Sequence, residues 1–152
     1  MYKIAIDIIG NEIKSSNDLI NCLNNICKFL NQKIKGYDWV GFYFHNEKHK
    51  ELELIAFSGL PTQHTKIPFG KGICGTSALT NNPIVVDDVS KESNYISCNI
   101  NVKSEIVVPL FANNKNVGQI DIDSNSIGQF KKIDLNFLIK INQMISKKFF
   151  KL

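Results

Sequence analysis

Glu105-Ile106-Val107-Val108-Pro109-Leu110-Phe111, the pair Asn113-Asn114, and Val117-Gly118-Gln119-Ile120-Asp121-Ile122-Asp123 decide the fold. The first run is apolar enough for a buried strand, and the last alternates strictly, as a strand with two unlike faces must. Two such runs joined by a short Asn-Asn turn read as an antiparallel hairpin. A second hairpin lies upstream. Asp38 to Phe44 alternates, with Trp39, Gly41 and Tyr43 on one face and Val40, Phe42 and Phe44 on the other. After the charged turn Asn46 to Lys50, Glu51 to Phe57 forms its partner. Pro83 opens a further short strand, Ile84-Val85-Val86, which Asp87-Asp88 ends.

Helices flank these strands. Ser16 is read as the cap of a helix running to about Gln32, with Leu19, Leu23, Ile26 and Leu30 on one stripe. From Phe130 onward, Ile133, Phe137, Ile141, Met144, Ile145 and Phe149 keep helical spacing. Thr76 to Leu79 reads as a short helix, residues 90–104 as mostly loop, and residues 1–14 as either a short helix or an extended arm. The fold class is therefore α+β: a single central antiparallel sheet flanked by N- and C-terminal helices.

With 152 residues, 43% of them hydrophobic and 21% charged, the chain is expected to be one domain with a real core. It contains no apolar run long enough for a membrane span and no signal-peptide plan at Met1-Tyr2-Lys3, so a cytoplasmic location is expected. The net charge of +4 comes entirely from lysine, without a single arginine, which argues against nucleic acid as a partner. Four cysteines without a Cys-x-x-Cys pair, far in sequence from the three histidines, give neither a disulfide framework nor a metal motif. Cys22 and Cys27 fall near the apolar stripe of their helix and read as small core hydrophobes.

Other residues do not read as filling. Asp121 and Asp123 share one face of their strand, opposite Ile120 and Ile122. Either that face is solvated, or it lines a pocket in which neighbouring carboxylates repel and one retains a proton it can donate. Trp39 and Tyr43, separated by Gly41, either anchor a core or leave room for a ligand. Gly72-Ile73-Cys74-Gly75 is a glycine-rich turn feeding a helix, where backbone amides can hold an anion and lower the pKa of a thiol. Cys98 lies in a polar segment with Asn94, Ser97, Asn99 and Asn101, a setting no packed core would choose.

In order and spacing, five pieces of the chain resemble the free methionine-(R)-sulfoxide reductases, small GAF-domain enzymes. They are Trp39-Val40-Gly41-Phe42-Tyr43, Ile67 to Thr76, Asp87-Asp88-Val89, Ser104 to Leu110, and Gly118 to Ser124. The resemblance implies a single GAF domain over residues 1–152, no cofactor, no metal and a homodimer. It also implies that Cys98, seven residues before Glu105, matches the catalytic cysteine. Glu105, Asp121 and Asp123 match the carboxylates that hold the sulfoxide oxygen and the substrate ammonium. Trp39 and Tyr43 match the aromatic cage for the methyl end. Gly72, Ile73 and Cys74 match the loop that receives the substrate carboxylate. The family's usual resolving cysteine lies ten residues before Cys74, and here that position is His64; Lys103 stands where arginine is usual.

The implied activity is that of an L-methionine (R)-S-oxide reductase acting by thiol chemistry. The Cys98 thiolate attacks the sulfoxide sulfur, a protonated carboxyl donates to the oxygen, and methionine leaves behind a sulfenic acid. Recycling has two routes. Cys74 condenses with the sulfenic acid to give a disulfide for thioredoxin or glutaredoxin, which is the preferred reading, or a small external thiol attacks Cys98 directly. A function of another class, a non-catalytic GAF module that binds a small molecule as a sensor, is the alternative.

Overall fold

The computed structural model describes residues 2–95 and 100–150. Its elements run α1 (Tyr2–Ser15), α2 (Leu19–Lys33), β1 (Trp39–Asn46), β2 (Glu51–Ser58), β3 (Lys66–Pro68), α3 (Gly72–Thr80), β4 (Ile84–Val86), β5 (Ser104–Ala112), β6 (Lys115–Ser124) and α4 (Lys132–Phe149). A 3₁₀ turn at Val89–Lys91 follows β4, with the Ser90 amide donating to the Asp88 carboxylate. The strands form a six-stranded sheet in the order β3-β2-β1-β6-β5-β4, every neighbouring pair antiparallel. This is the α+β architecture expected from the two hairpins, with β1 paired to both β2 and β6 so that the hairpins join at the centre.

The sheet divides the interior into two layers. On one face, Val40, Phe42, Ile106, Val108, Leu110, Ile120 and Ile122 meet the apolar stripes of α1, α2 and α4. On the other, Trp39, Tyr43, Leu52 and Val107 meet Ile67 and the helix α3. Strand alternation sorts residues between the layers, and the cost of misplacing them is large, because a one-residue slip would exchange the two sets. Asp134 ties the helical layer together. It accepts hydrogen bonds from Tyr2 and Tyr37 and closes a capping box on the amide of Lys131 (2.8 Å), linking α1, the approach to β1 and the start of α4.

Several boundaries differ from the sequence reading. Residues 2–15 resolve to a helix, because Ala5, Ile9 and Ile13 form a buried stripe against the α1–α4 contact. The second helix starts at Leu19 with Asp18 as its cap, while the Ser16 hydroxyl donates to the Asp18 carbonyl instead of capping an amide. Lys66–Pro68, to which the sequence pattern assigns no element, is an edge strand on β2. The helix placed at Thr76–Leu79 begins four residues earlier, so Gly72 and Cys74 belong to its first turn. Cys22 and Cys27 are fully buried in the helical layer, as small hydrophobes. Among the described residues no helix is long and apolar enough to cross a membrane.

Candidate active site

The register of three strands assembles the site. Trp39 pairs with Asp123 and Gly41 with Asp121 across β1 and β6; Glu105 pairs with Asp123 across β5 and β6. Period-two alternation then brings Trp39, Tyr43, Glu105, Asp121 and Asp123 to the face covered by α3. Glu105, Asp121 and Asp123 are 5%, 1% and 2% exposed, which removes the solvated-face reading of the two aspartates. One oxygen of Asp121 and one of Asp123 have no hydrogen-bond partner.

Cys74 enters this carboxylate face from above. Its Sγ lies 3.9 Å from Glu105 Oε2, and one ligand-type atom from each of Cys74, Glu105 and Asp121 lies within 4.8 Å of the others. The electrostatics follow from burial without counter-charge. Desolvation first, and then the neighbouring Asp121, push Asp123 well above the ordinary carboxylate range; desolvation likewise raises Asp121. Burial, followed by the negative fields of Asp121 and Glu105, pushes the Cys74 thiol well above its usual value. The expectation that a helix N-terminus lowers this thiol's pKa is therefore reversed: burial first, and then the neighbouring carboxyl groups, outweigh the partial charge of one short helix.

The local backbone explains how α3 comes so close. Gly72 starts the helix at φ +64, a left-handed conformation that side chains rarely adopt. A Cβ on Gly75 would lie 2.6 Å from the Pro68 carbonyl oxygen, so glycine there lets the helix sit against the preceding strand. Of the first-turn amides expected to hold an anion, that of Gly72 is already taken by Asn94 Oδ1 at 3.0 Å. Asn94 also donates to the Gly70 carbonyl (3.2 Å) and to the Thr76 hydroxyl (3.2 Å), clamping the loop to the helix. Sequence reading placed Asn94 only in a polar stretch; nothing in its neighbours marks it as a clamp.

The aromatic pair is built from both ends. The Trp39 indole donates to the Leu60 carbonyl (2.9 Å) and the Tyr43 hydroxyl to the His64 carbonyl (2.9 Å), with ring centroids 6.5 Å apart. The space above Gly41 is not left for a ligand: a Cβ there would be 2.3 Å from the Trp39 ring, so the indole itself fills it. His64 thus meets the site through its backbone. Cys98 lies outside the described residues, between Tyr95 and Ile100. The cavity bounded by Ile67, Gly72, Ile73, Cys74, Glu105 and Asp121 is about 10 Å³, enough for one water-sized atom. A larger hollow of about 240 Å³ between β5 and α4 is lined by Val108, Pro109, Phe111 and Ile139; it has space but no reactive group.

Comparison with known proteins places this geometry. The profile of the GAF domain matches residues 16–141. A free methionine-R-sulfoxide reductase of Saccharomyces cerevisiae is 38% identical over 112 residues, 72% of this chain and 62% of that one. The crystal structure of a free methionine-R-sulfoxide reductase from Neisseria meningitidis, in complex with its substrate, is 32% identical. It superposes with a TM-score of 0.92 over 97% of this chain and 87% of that one. A putative GAF sensor protein from Burkholderia vietnamiensis is 30% identical with a TM-score of 0.89, covering 97% and 92%.

Proposed function

The chain belongs to the GAF-domain family that includes the free methionine-R-sulfoxide reductases, and from that membership we propose that it reduces free L-methionine-(R)-sulfoxide to L-methionine. The observation that carries this reading is the buried convergence of Glu105, Asp121 and Asp123 beside the Trp39–Tyr43 pair. A plain binding module has no need to bury three carboxyl groups, two of them with an unpaired oxygen, because each raises the cost of folding. A sulfoxide reductase needs them. The sulfoxide oxygen is a poor leaving group until protonated, and the substrate ammonium requires a negative partner.

Cys98 is the nucleophile. Its thiolate forms a bond to the sulfoxide sulfur while a carboxyl group protonates the oxygen, in this reading Asp123, whose burial beside Asp121 raises its pKa well above the ordinary carboxylate range. The sulfur–oxygen bond breaks and the oxygen leaves as hydroxide; hydroxide or water then attacks the Cys98 sulfur, the bond between the two sulfurs breaks with its electron pair passing to methionine, and Cys98 is left as a sulfenic acid. The substrate carboxylate meets the remaining first-turn amides of α3, those of Ile73 and Cys74. The water-sized cavity means that admitting an amino acid requires the loop ahead of α3 to yield, and Gly70 in that loop and Gly72 at the helix start are both at positive φ.

For recycling, the environment of Cys74 favours the external route. Attack on a sulfenic acid needs a thiolate, and desolvation with two adjacent carboxyls keeps this thiol protonated. An external thiol therefore attacks the Cys98 sulfenic acid, releasing water, and a second thiol reduces the mixed disulfide. One experiment tests both steps: turnover of free L-methionine-(R)-sulfoxide with dithiothreitol and with thioredoxin, in wild type, Cys98→Ser and Cys74→Ser. Wild type turns over, Cys98→Ser falls to background, and Cys74→Ser slows with both reductants in the same proportion. An inactive wild type would leave the sensor reading standing. A loss confined to thioredoxin would return the resolving role to Cys74.

A further inference from the structure

We propose that the Cys74, Glu105 and Asp121 side chains form a binding site for a single thiophilic divalent cation of the zinc class. Spacing in the sequence gives no sign of it, because the three groups come from α3, β5 and β6 and meet only through strand register. One atom from each lies within 4.8 Å of the others, and the Cys74–Glu105 separation is 3.9 Å. In a tetrahedral zinc site with ordinary zinc–sulfur and zinc–oxygen bonds, ligand atoms stand about 3.5 Å apart. The cluster is therefore within a small side-chain rotation of closing on an ion.

Two independent observations point to an ion as the occupant. Asp121 is 1% exposed and one of its oxygens has no partner; Asp123, next on the same strand face and register partner of Glu105, is 2% exposed with another. A divalent charge offsets both at once, which a neutral water does not. The enclosed space of about 10 Å³ also admits only a monatomic or water-sized guest. Lys71 lines the same cavity, but the residue is exposed, and no ion pair joins it to Asp121 or Asp123 among the described residues. One thiolate beside two carboxylates selects zinc, cobalt or cadmium over magnesium and calcium.

Binding is an exchange without redox change: the Cys74 S–H bond breaks, its proton passes to solvent, and the sulfur lone pair forms the bond to the cation. Metal binding here is independent of the reductase reading; if that reading holds, the ion competes with sulfoxide for Glu105 and Asp121 and acts as a reversible inhibitor. The test is an anaerobic titration of the reduced, metal-free chain with cobalt(II). The expected result is a thiolate-to-cobalt charge-transfer band that saturates at one cobalt per chain and is bleached by zinc. The band disappears in Cys74→Ser and persists in Cys98→Ser. X-ray absorption on the zinc-loaded wild type, which needs no variant to fold, shows one sulfur among oxygen ligands. No band in wild type, a band surviving in Cys74→Ser, or a zinc shell without sulfur overturns the proposal.

Discussion

Asp123 illustrates how one residue serves the site against the fold. It is 2% exposed, one oxygen is unpaired, and the neighbouring Asp121 carries the same sign of charge. Unfolded, its carboxyl ionises near the ordinary value of 3.8; folded, burial holds the proton to a well higher pH. Between those two values the native chain binds more protons than the unfolded one, so stability falls as the pH rises through that window. Asp123→Asn keeps the shape and removes the charge. We expect it to stabilise the protein by about 1–2 kcal/mol at pH 7 and to flatten the rise in melting temperature on acidification that the raised Asp123 pKa predicts for wild type. On the proposed mechanism its turnover of the sulfoxide is expected to fall, because the substitution removes the proposed proton donor. Thermal melting from pH 4 to 8 checks the sign, and an Asn variant less stable than wild type would contradict the account of a strained carboxyl.

At the scale of elements, helix α3 carries the most information. An isolated glycine-to-alanine change in a helix gains about 0.5–1 kcal/mol. At Gly75 the new Cβ would stand 2.6 Å from the Pro68 carbonyl oxygen and 3.0 Å from the Gly70 amide nitrogen, both backbone atoms that cannot swing away. Overpacking of this kind costs about 1–3 kcal/mol, so the steric effect wins and Gly75→Ala is expected to lower stability and raise the KM for sulfoxide. An unchanged or higher melting temperature would show that the loop yields freely. The same helix marks where sequence reading ran short. Strands with strict alternation, such as Val117 to Asp123, reveal both their extent and their faces, because a buried and a polar side differ at every step. The α3 start does not, since Gly72 begins it at φ +64 and glycines ordinarily signal a turn rather than a first helical turn. Strand β3 has only three residues, too few for periodicity to speak. The site residues Trp39, Tyr43, Glu105, Asp121 and Asp123 were legible one by one, and their mutual positions were not, because register is a property of pairs of strands. The Trp39 ring over Gly41 and the Asn94 clamp are tertiary contacts that no local pattern announces.

For the whole molecule, the sheet acts as a partition between a largely apolar, stabilising layer and the layer that holds the candidate site. The helical side buries Leu23, Leu30, Ile106, Leu110, Ile120, Leu138, Ile141 and Ile145 at 0% exposure, with Asp134 and Asn142 among the few polar side chains buried beside them. The α3 side mixes Trp39, Tyr43 and Val107 with the three carboxyl groups and a thiol, a combination that contributes less to stability and holds the groups on which the proposed chemistry rests. Residues one step apart on a strand, such as Ile122 and Asp123, thus answer to different demands. That separation has a measurable consequence. Leu138→Ala removes a fully buried side chain from α4 on the helical side and is expected to cost about 2–5 kcal/mol. Because the sheet stands between that cavity and Asp121, the KM for sulfoxide well below the melting temperature stays at the wild-type value. Combined with Asp123→Asn, whose effect arises on the other face, the two stability changes add to within about 0.5 kcal/mol, as distant sites without shared partners do. A double-mutant cycle by denaturant unfolding reads this directly. Strong coupling, or a KM that shifts with Leu138→Ala, would mean that the sheet transmits packing strain from one layer to the other.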